Sequence, residues 1–260
     1  MALGALIGFA VPVALAWWIV KKRGASLSAV LIGAGVFVFF ALVLESIMHQ
    51  LVLKSAIGSA LLGNTWLFAL YGGLAAGVFE ETGRFLAMKY LLKKEPSSAR
   101  TGVAYGVGHG GIEMLIIFGI TMISNLVLSV MINKGMADTL LAGVPAEAAE
   151  QLQSAFSGLE TTAPGTYLWG ICERFSAIVL QLSLSVLVWI AVRRGGKWLW
   201  LYPAAILLHF IVDGLAVVMS KSASMLAIEA VVFSLAVAIG AAAWLLARRA
   251  LPAEPNLSNA

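Results

Sequence analysis

Apolar runs of about twenty residues, each followed or preceded by a short basic cluster, constrain this chain more than any other feature. They fall at 3–20, 27–48, 65–92, 101–131, 166–192, 198–219 and 224–247, and each is long enough to cross the hydrocarbon layer as a helix. Hydrophobic residues make up 61% of the 260 and charged residues 12%, against the roughly 25% charge expected of a soluble domain. The bilayer is therefore the expected solvent, and backbone groups that meet no water must be bonded within their own segment. The expectation is an all-α polytopic membrane helix bundle of about seven transmembrane helices. It forms one domain over 1–251, with a disordered cytoplasmic tail at 252–260.

The basic residues set the orientation. Lys21-Lys22-Arg23, Lys93-Lys94 with Arg100, Arg193-Arg194 with Lys197, and Arg248-Arg249 lie at alternate ends of successive runs, while the opposite ends carry only Lys54, Lys134 and Lys221. By the positive-inside rule the N-terminus is outside and the C-terminus cytoplasmic, a parity that seven crossings satisfy. A net charge of +4 would suit a nucleic-acid partner, but its placement at span ends is a topology signal, so the expected surroundings are lipid and no nucleic acid. Residues 1–20 lack a basic leading region and run into Lys21 rather than a small-residue cleavage site, so they read as the first span. The single Cys172 excludes an intramolecular disulfide and reads as a packing residue.

The longest connection, 133–165, carries Asp138, Glu147, Glu150 and Glu160 and reads as an acidic external loop. Pro145 followed by acids predicts a helix start within it. Gly102, Gly106, Gly108, Gly110 and Gly111 superficially resemble a phosphate-binding loop but lack its strand-turn-helix setting. Small residues at this density let membrane helices pack backbone to backbone.

Ionisable side chains inside spans carry the chemistry. Each costs at least about 2.5–3.5 kcal/mol at mid-membrane on insertion scales, so each needs a partner, a water-filled cavity or a function. The third span holds Glu80, Glu81 and Arg84, the fourth His109 and Glu113, the sixth His209 and Asp213. Counting at about 1.5 Å per residue from the cytoplasmic basic anchors places all three sets at one depth, roughly 14–24 Å in. The pairs His109/Glu113 and His209/Asp213 are each four residues apart and share a helix face. Imidazole and carboxylate groups gathered from several helices are what a metal site in a bundle requires, and they suit a divalent, zinc-like ion with an open position for water. His109, Glu113, His209 and Asp213 are the candidate ligands and Glu80 the candidate base for that water. Arg84, one turn from Glu80 and Glu81, would neutralise one carboxylate and hold the other. The plain alternative is that these groups only satisfy one another. Glu45 with His49, and Glu173 with Arg174, read as structural ties nearer the outer face; Glu229 has no assigned role.

Glu80-Glu81-Thr82-Gly83-Arg84 is similar to an E-E-x-x-R motif, Tyr105 to His109 to an aromatic-x-x-x-His motif, and His209 to Asp213 to H-x-x-x-D/N. Together they resemble the CAAX prenyl endopeptidase and bacteriocin-processing superfamily. The His109-Gly110-Gly111-Ile112-Glu113 stretch and the Glu173-Arg174 pair look most like the YhfC-type intramembrane metalloproteases, with PrsW-like proteases as cousins. The resemblance spans roughly 45–213. It implies a multi-pass protein of the bacterial plasma membrane that hydrolyses a peptide bond of a membrane-embedded or membrane-associated substrate. By the resemblance Glu80 would activate water, with Glu81 and Arg84 completing its motif. His109 and His209 would bind metal or polarise the substrate, Asp213 would be a ligand or oxyanion-site partner, and Glu113 a further ligand or orienter. Tyr105 stands where the prenyl endopeptidases usually have Phe, and Asp213 where they often have Asn; the added carboxylate favours metal ligation.

Two other classes stay open. A proton- or cation-coupled transporter also uses Glu, Asp and His chains in membrane helices, although no internal repeat supports that architecture. A non-catalytic membrane scaffold would lose stability but no turnover on substitution of Glu80 or His109.

Overall fold

A computed structural model describes residues 1–252 of the chain; the tail expected at 252–260 lies, Pro252 aside, outside the described residues. Helices run from end to end: α1 (Ala2–Lys22), α2 (Leu27–Leu53), the short α3 (Gly58–Gly63), α4 (Thr65–Tyr90), α5 (Ala99–Asn133), the short α6 (Ala137–Ala142), α7 (Ala146–Thr161), α8 (Thr166–Arg194), α9 (Leu201–Met219) and α10 (Met225–Ala250). No strand occurs among the described residues. Among the described residues six helices are long and apolar enough to cross a membrane: α1, α2, α5, α8, α10 and α9 with the turn before it. The other expected span, α4, has 26 residues, long enough to cross, but Glu80, Glu81 and Arg84 in its interior lower its apolarity.

Local chemistry marks the helix ends. The Asn64 side chain accepts from the Trp66 and Leu67 amides and starts α4, satisfying two of the donors a helix start leaves open. Ser26 and Ser224 cap α2 and α10 in the same way. Gly195 and Gly24 adopt φ of +61° and +65° where α8 ends and α1 turns into α2, a conformation that favours glycine. The helix expected after Pro145 is α7, with Pro145 at its cap.

Helix α5 is the hub. A Cβ on Gly108 would stand 1.8 Å from the Val30 carbonyl oxygen, and one on Gly33 would stand 2.2 Å from the Tyr105 carbonyl oxygen, so α2 and α5 cross with their backbones touching. On another face, Gly102, Gly106 and Gly110 lie against Trp189, Leu182 and Gln181 of α8. Helix α8 is buried over most of 176–191, and its Trp189 indole donates to the Ser98 carbonyl at 2.9 Å. Gly73 and Gly77 bring α4 equally close to Phe210 and Ile206 of α9. Wider, π-helical turns run over Val38–Glu45 in α2 and Met114–Ile120 in α5, the second starting directly after Glu113. Such turns re-aim side chains and are frequent at functional sites.

Candidate functional site

The close crossings bring the middles of α4, α5, α8 and α9 together, and the polar side chains of all four meet there. Glu81, Arg84 and His109 have no exposed surface, while His209, Gln181 and Glu80 are 3%, 3% and 7% exposed. Groups so placed must bond to one another, and they form one continuous network.

Its first part centres on Glu80. One carboxylate oxygen, Oε2, receives His109 Nε2 at 2.8 Å and Gln181 Nε2 at 2.9 Å; among the described residues no hydrogen bond reaches Oε1. The Gln181 amide also donates to Glu113 Oε2 at 2.9 Å, and Arg174 donates to Glu113 Oε1 at 3.2 Å and to Glu173. In the second part, Arg84 Nη1 reaches both oxygens of Glu81 at 2.8 and 2.9 Å, and Glu81 Oε1 meets His209 Nδ1 at 2.9 Å. His209 Nε2 then faces Asp213 Oδ2 at 3.4 Å. Arg84 also donates to Gln181 Oε1, which makes Gln181 the joint between the two parts.

Every candidate side chain on the third, fourth and sixth expected spans thus enters one constellation. Their positions within it differ. Glu80, Glu113, His209 and Asp213 line a cavity of about 450 Å³ between α5, α8, α9 and α10, with the Asp213 side chain 40% exposed. His109 stands behind Glu80, away from the cavity, against Phe37 and Tyr105, and its Nδ1 is buried with no hydrogen-bond partner among the described residues. Glu81 and Arg84 are likewise second in line, holding His209 and Gln181. Arg174 ties α8 to α5 through Glu113, as expected of a helix-to-helix tie. Glu45 bonds His49 at 3.2 Å, and His49 bonds Tyr71 of α4 at 2.7 Å, a group that shares no hydrogen bond with the main network among the described residues.

Gln181 was not singled out in the sequence. The available signal was an amide alone in the apolar stretch 177–182, on a helix face shared with Arg174 at i−7.

A bundle with carboxylates and imidazoles gathered around a cavity among its helices defines a multi-pass integral membrane protein with an intramembrane polar site. The chain matches the family described as YhfC intramembrane metalloprotease over residues 7–246, and it belongs to that family. It is 38% identical over 211 residues to a Bacillus subtilis (strain 168) protein titled uncharacterized membrane protein YhfC, covering 80% of this chain and 80% of that protein. No solved structure matches the chain.

The family description implies a peptidase that uses a metal. The donors suit a divalent ion chemically, yet the four expected ligands do not converge. His109 spends Nε2 on Glu80 and buries Nδ1, and Glu113 is held by Gln181 and Arg174. Among the described residues no group of three or more His, Cys, Asp or Glu side chains is placed to hold a metal ion. His209 and Asp213 alone present facing donor atoms at the cavity wall. The residues as arranged therefore do not fit a four-ligand centre of His109, Glu113, His209 and Asp213.

Proposed function

We propose that this chain hydrolyses a peptide bond of a membrane-associated substrate inside the cavity, with Glu80 as the base that activates water. The observation that supports this most is the state of Glu80: it lines the cavity, two donors hold one of its oxygens, and none from the described residues occupies the other. A carboxylate fixed at one oxygen presents the second to a water molecule in a defined direction, which is the geometry general-base catalysis needs. His109 and Gln181 set that direction. His209, aligned by Glu81 on one ring nitrogen and by Asp213 beside the other, is the group placed to donate to the carbonyl oxygen as negative charge develops there. Arg84 keeps Glu81 in place. The carboxylate excess around the cavity gives a divalent cation an electrostatic reason to bind, with His209 and Asp213 nearest to serving it, but no step above depends on one.

The reading extends to topology: seven crossings including α4, N-terminus outside, C-terminus cytoplasmic, one bundle domain over 1–251 with an external loop at 133–165.

The test is cleavage of transmembrane peptide substrates by the purified protein in liposomes. Glu80→Gln, which keeps shape and loses the base, is expected to lower kcat by about 10²–10⁴-fold with little change in substrate affinity. Elemental analysis belongs beside it. Near-stoichiometric zinc, lost in His209→Ala and Asp213→Ala, would establish a ligand set formed by rearrangement of these side chains. A folded wild type that cleaves nothing would return the choice to transporter or scaffold.

A further inference from the structure

One carboxylate in the cavity takes no part in the network. Glu229, in the second turn of α10, is 8% exposed and lines the same cavity as Glu80 and Asp213. Its Oε2 is buried with no hydrogen-bond partner among the described residues. Burying a carboxylate oxygen that no donor reaches is costly, and the cation nearest in the wall, Arg174, is committed to Glu113 and Glu173. His209, the other basic group there, stands between Glu81 and Asp213.

The surroundings point to what such a carboxylate would bind. Glu80, Glu113, Glu173, Asp213 and Glu229 line the cavity against Arg174 and His209, so its interior favours a positive guest. Ile117, Val217, Ile228 and Val232 make the rest of the wall apolar, which suits a chain segment that is otherwise lipid-soluble. Ser220 and Met225, at the junction of α9 and α10, also line the cavity. That junction, which carries Lys221, is at the same end of the bundle as residues 134–165 with Asp138, Glu147, Glu150, Glu160 and Lys134.

We propose that Glu229 is a specificity-determining residue that binds the ammonium or guanidinium of a basic side chain in an otherwise apolar peptide, so that substrates carry a Lys or Arg near the bond to be cut. The proposal rests on the peptidase reading for its consequence, but not for the binding itself. A charge-assisted hydrogen bond to a carboxylate oxygen that has no other partner among the described residues is the source of selectivity.

The experiment uses the full chain in detergent with Glu80→Gln, so that nothing is turned over, and two fluorescein-labelled apolar peptides that differ only by Lys or Gln at one terminal position. Fluorescence anisotropy is expected to show the Lys peptide bound about tenfold more tightly, and the added Glu229→Gln substitution to reduce that preference to less than about twofold. Equal affinities before the Glu229 substitution overturn the proposal without reference to whether Glu229→Gln folds. So does a preference that survives Glu229→Gln in a monodisperse protein. Calorimetric titration with zinc alone covers the other source of positive charge: Glu229-dependent zinc binding without a lysine preference would assign the carboxylate to a metal ion and overturn the peptide reading. A Glu229-dependent lysine preference in a wild type that cleaves neither peptide would uphold the subsite and count against the peptidase.

Discussion

Arg84 has no exposed surface and spends its guanidinium on three acceptors, both oxygens of Glu81 and the amide oxygen of Gln181. Removing it would strand a buried carboxylate, which costs about 3–5 kcal/mol. Arg84→Met is therefore expected to lower the thermal midpoint in detergent sharply or abolish the folded species. Arg84→Lys should not rescue it, because a point charge cannot reproduce the planar fork. Gln181 calls for a different experiment. Gln181→Leu keeps the volume and removes donors to Glu80 and Glu113, so the expected effect is about a 10–100-fold loss of kcat with KM nearly unchanged in the peptide assay. A purely structural Gln181 would instead lower stability and leave kcat per folded molecule alone. The difference in legibility between these two residues is physical. A charge in hydrocarbon demands an explanation and so drew attention at positions 80, 81, 84, 109, 113, 209 and 213; an uncharged amide costs less and passes as one more membrane residue until its neighbours are known.

At the scale of the helix, the glycines of α5 were readable as packing residues, but their partners were not. Gly108 admits the Val30 carbonyl of α2, and Gly102, Gly106 and Gly110 admit α8, so the helix bearing His109 is gripped from two sides. Gly108→Ala is expected to cost about 1–3 kcal/mol through forced separation of the backbones, read as a lower thermal midpoint, while Gly35→Ala, facing open space in the same bundle, should be neutral. Helix α4 shows the opposite pressure. Its polar middle weakens its affinity for lipid, yet its contacts with α9 and the Asn64 cap hold a continuous 26-residue helix. The π-helical turns in α2 and α5 left no mark in the residue pattern, because hydrophobic periodicity does not distinguish one extra residue per turn over so short a stretch.

Across the whole molecule the alternation of basic clusters yields a testable topology. With Cys172 first replaced by Ser, single cysteines at Ser55 and Asp138 should react with a membrane-impermeant maleimide in intact cells. Cysteines at Lys94 and Gly196 should react only after permeabilisation. The reverse pattern would invert the orientation and with it the side from which the cavity is reached. At the end of the bundle that carries the basic clusters the connections are tied to one another: Arg193 donates to the Lys93 carbonyl at 3.1 Å and to Ser97, and Ser26 donates to Glu95 at 2.9 Å.

By itself the sequence determined that this chain is a helical membrane bundle and which spans carry the polar site, because length, apolarity and the cost of charge in hydrocarbon act residue by residue. Helical spacing also put His109 with Glu113 and His209 with Asp213 on common faces. Tertiary structure alone decided which of those faces meet and how each helix is rotated about its axis. That rotation places His109 behind Glu80 rather than on the cavity, makes Gln181 the joint of the network, and leaves Glu229 facing the cavity with no hydrogen-bond partner for Oε2 among the described residues. Local spacing cannot carry this information, since the angle of a helix is set by the fit of its glycine grooves and bulky side chains against neighbours distant in sequence.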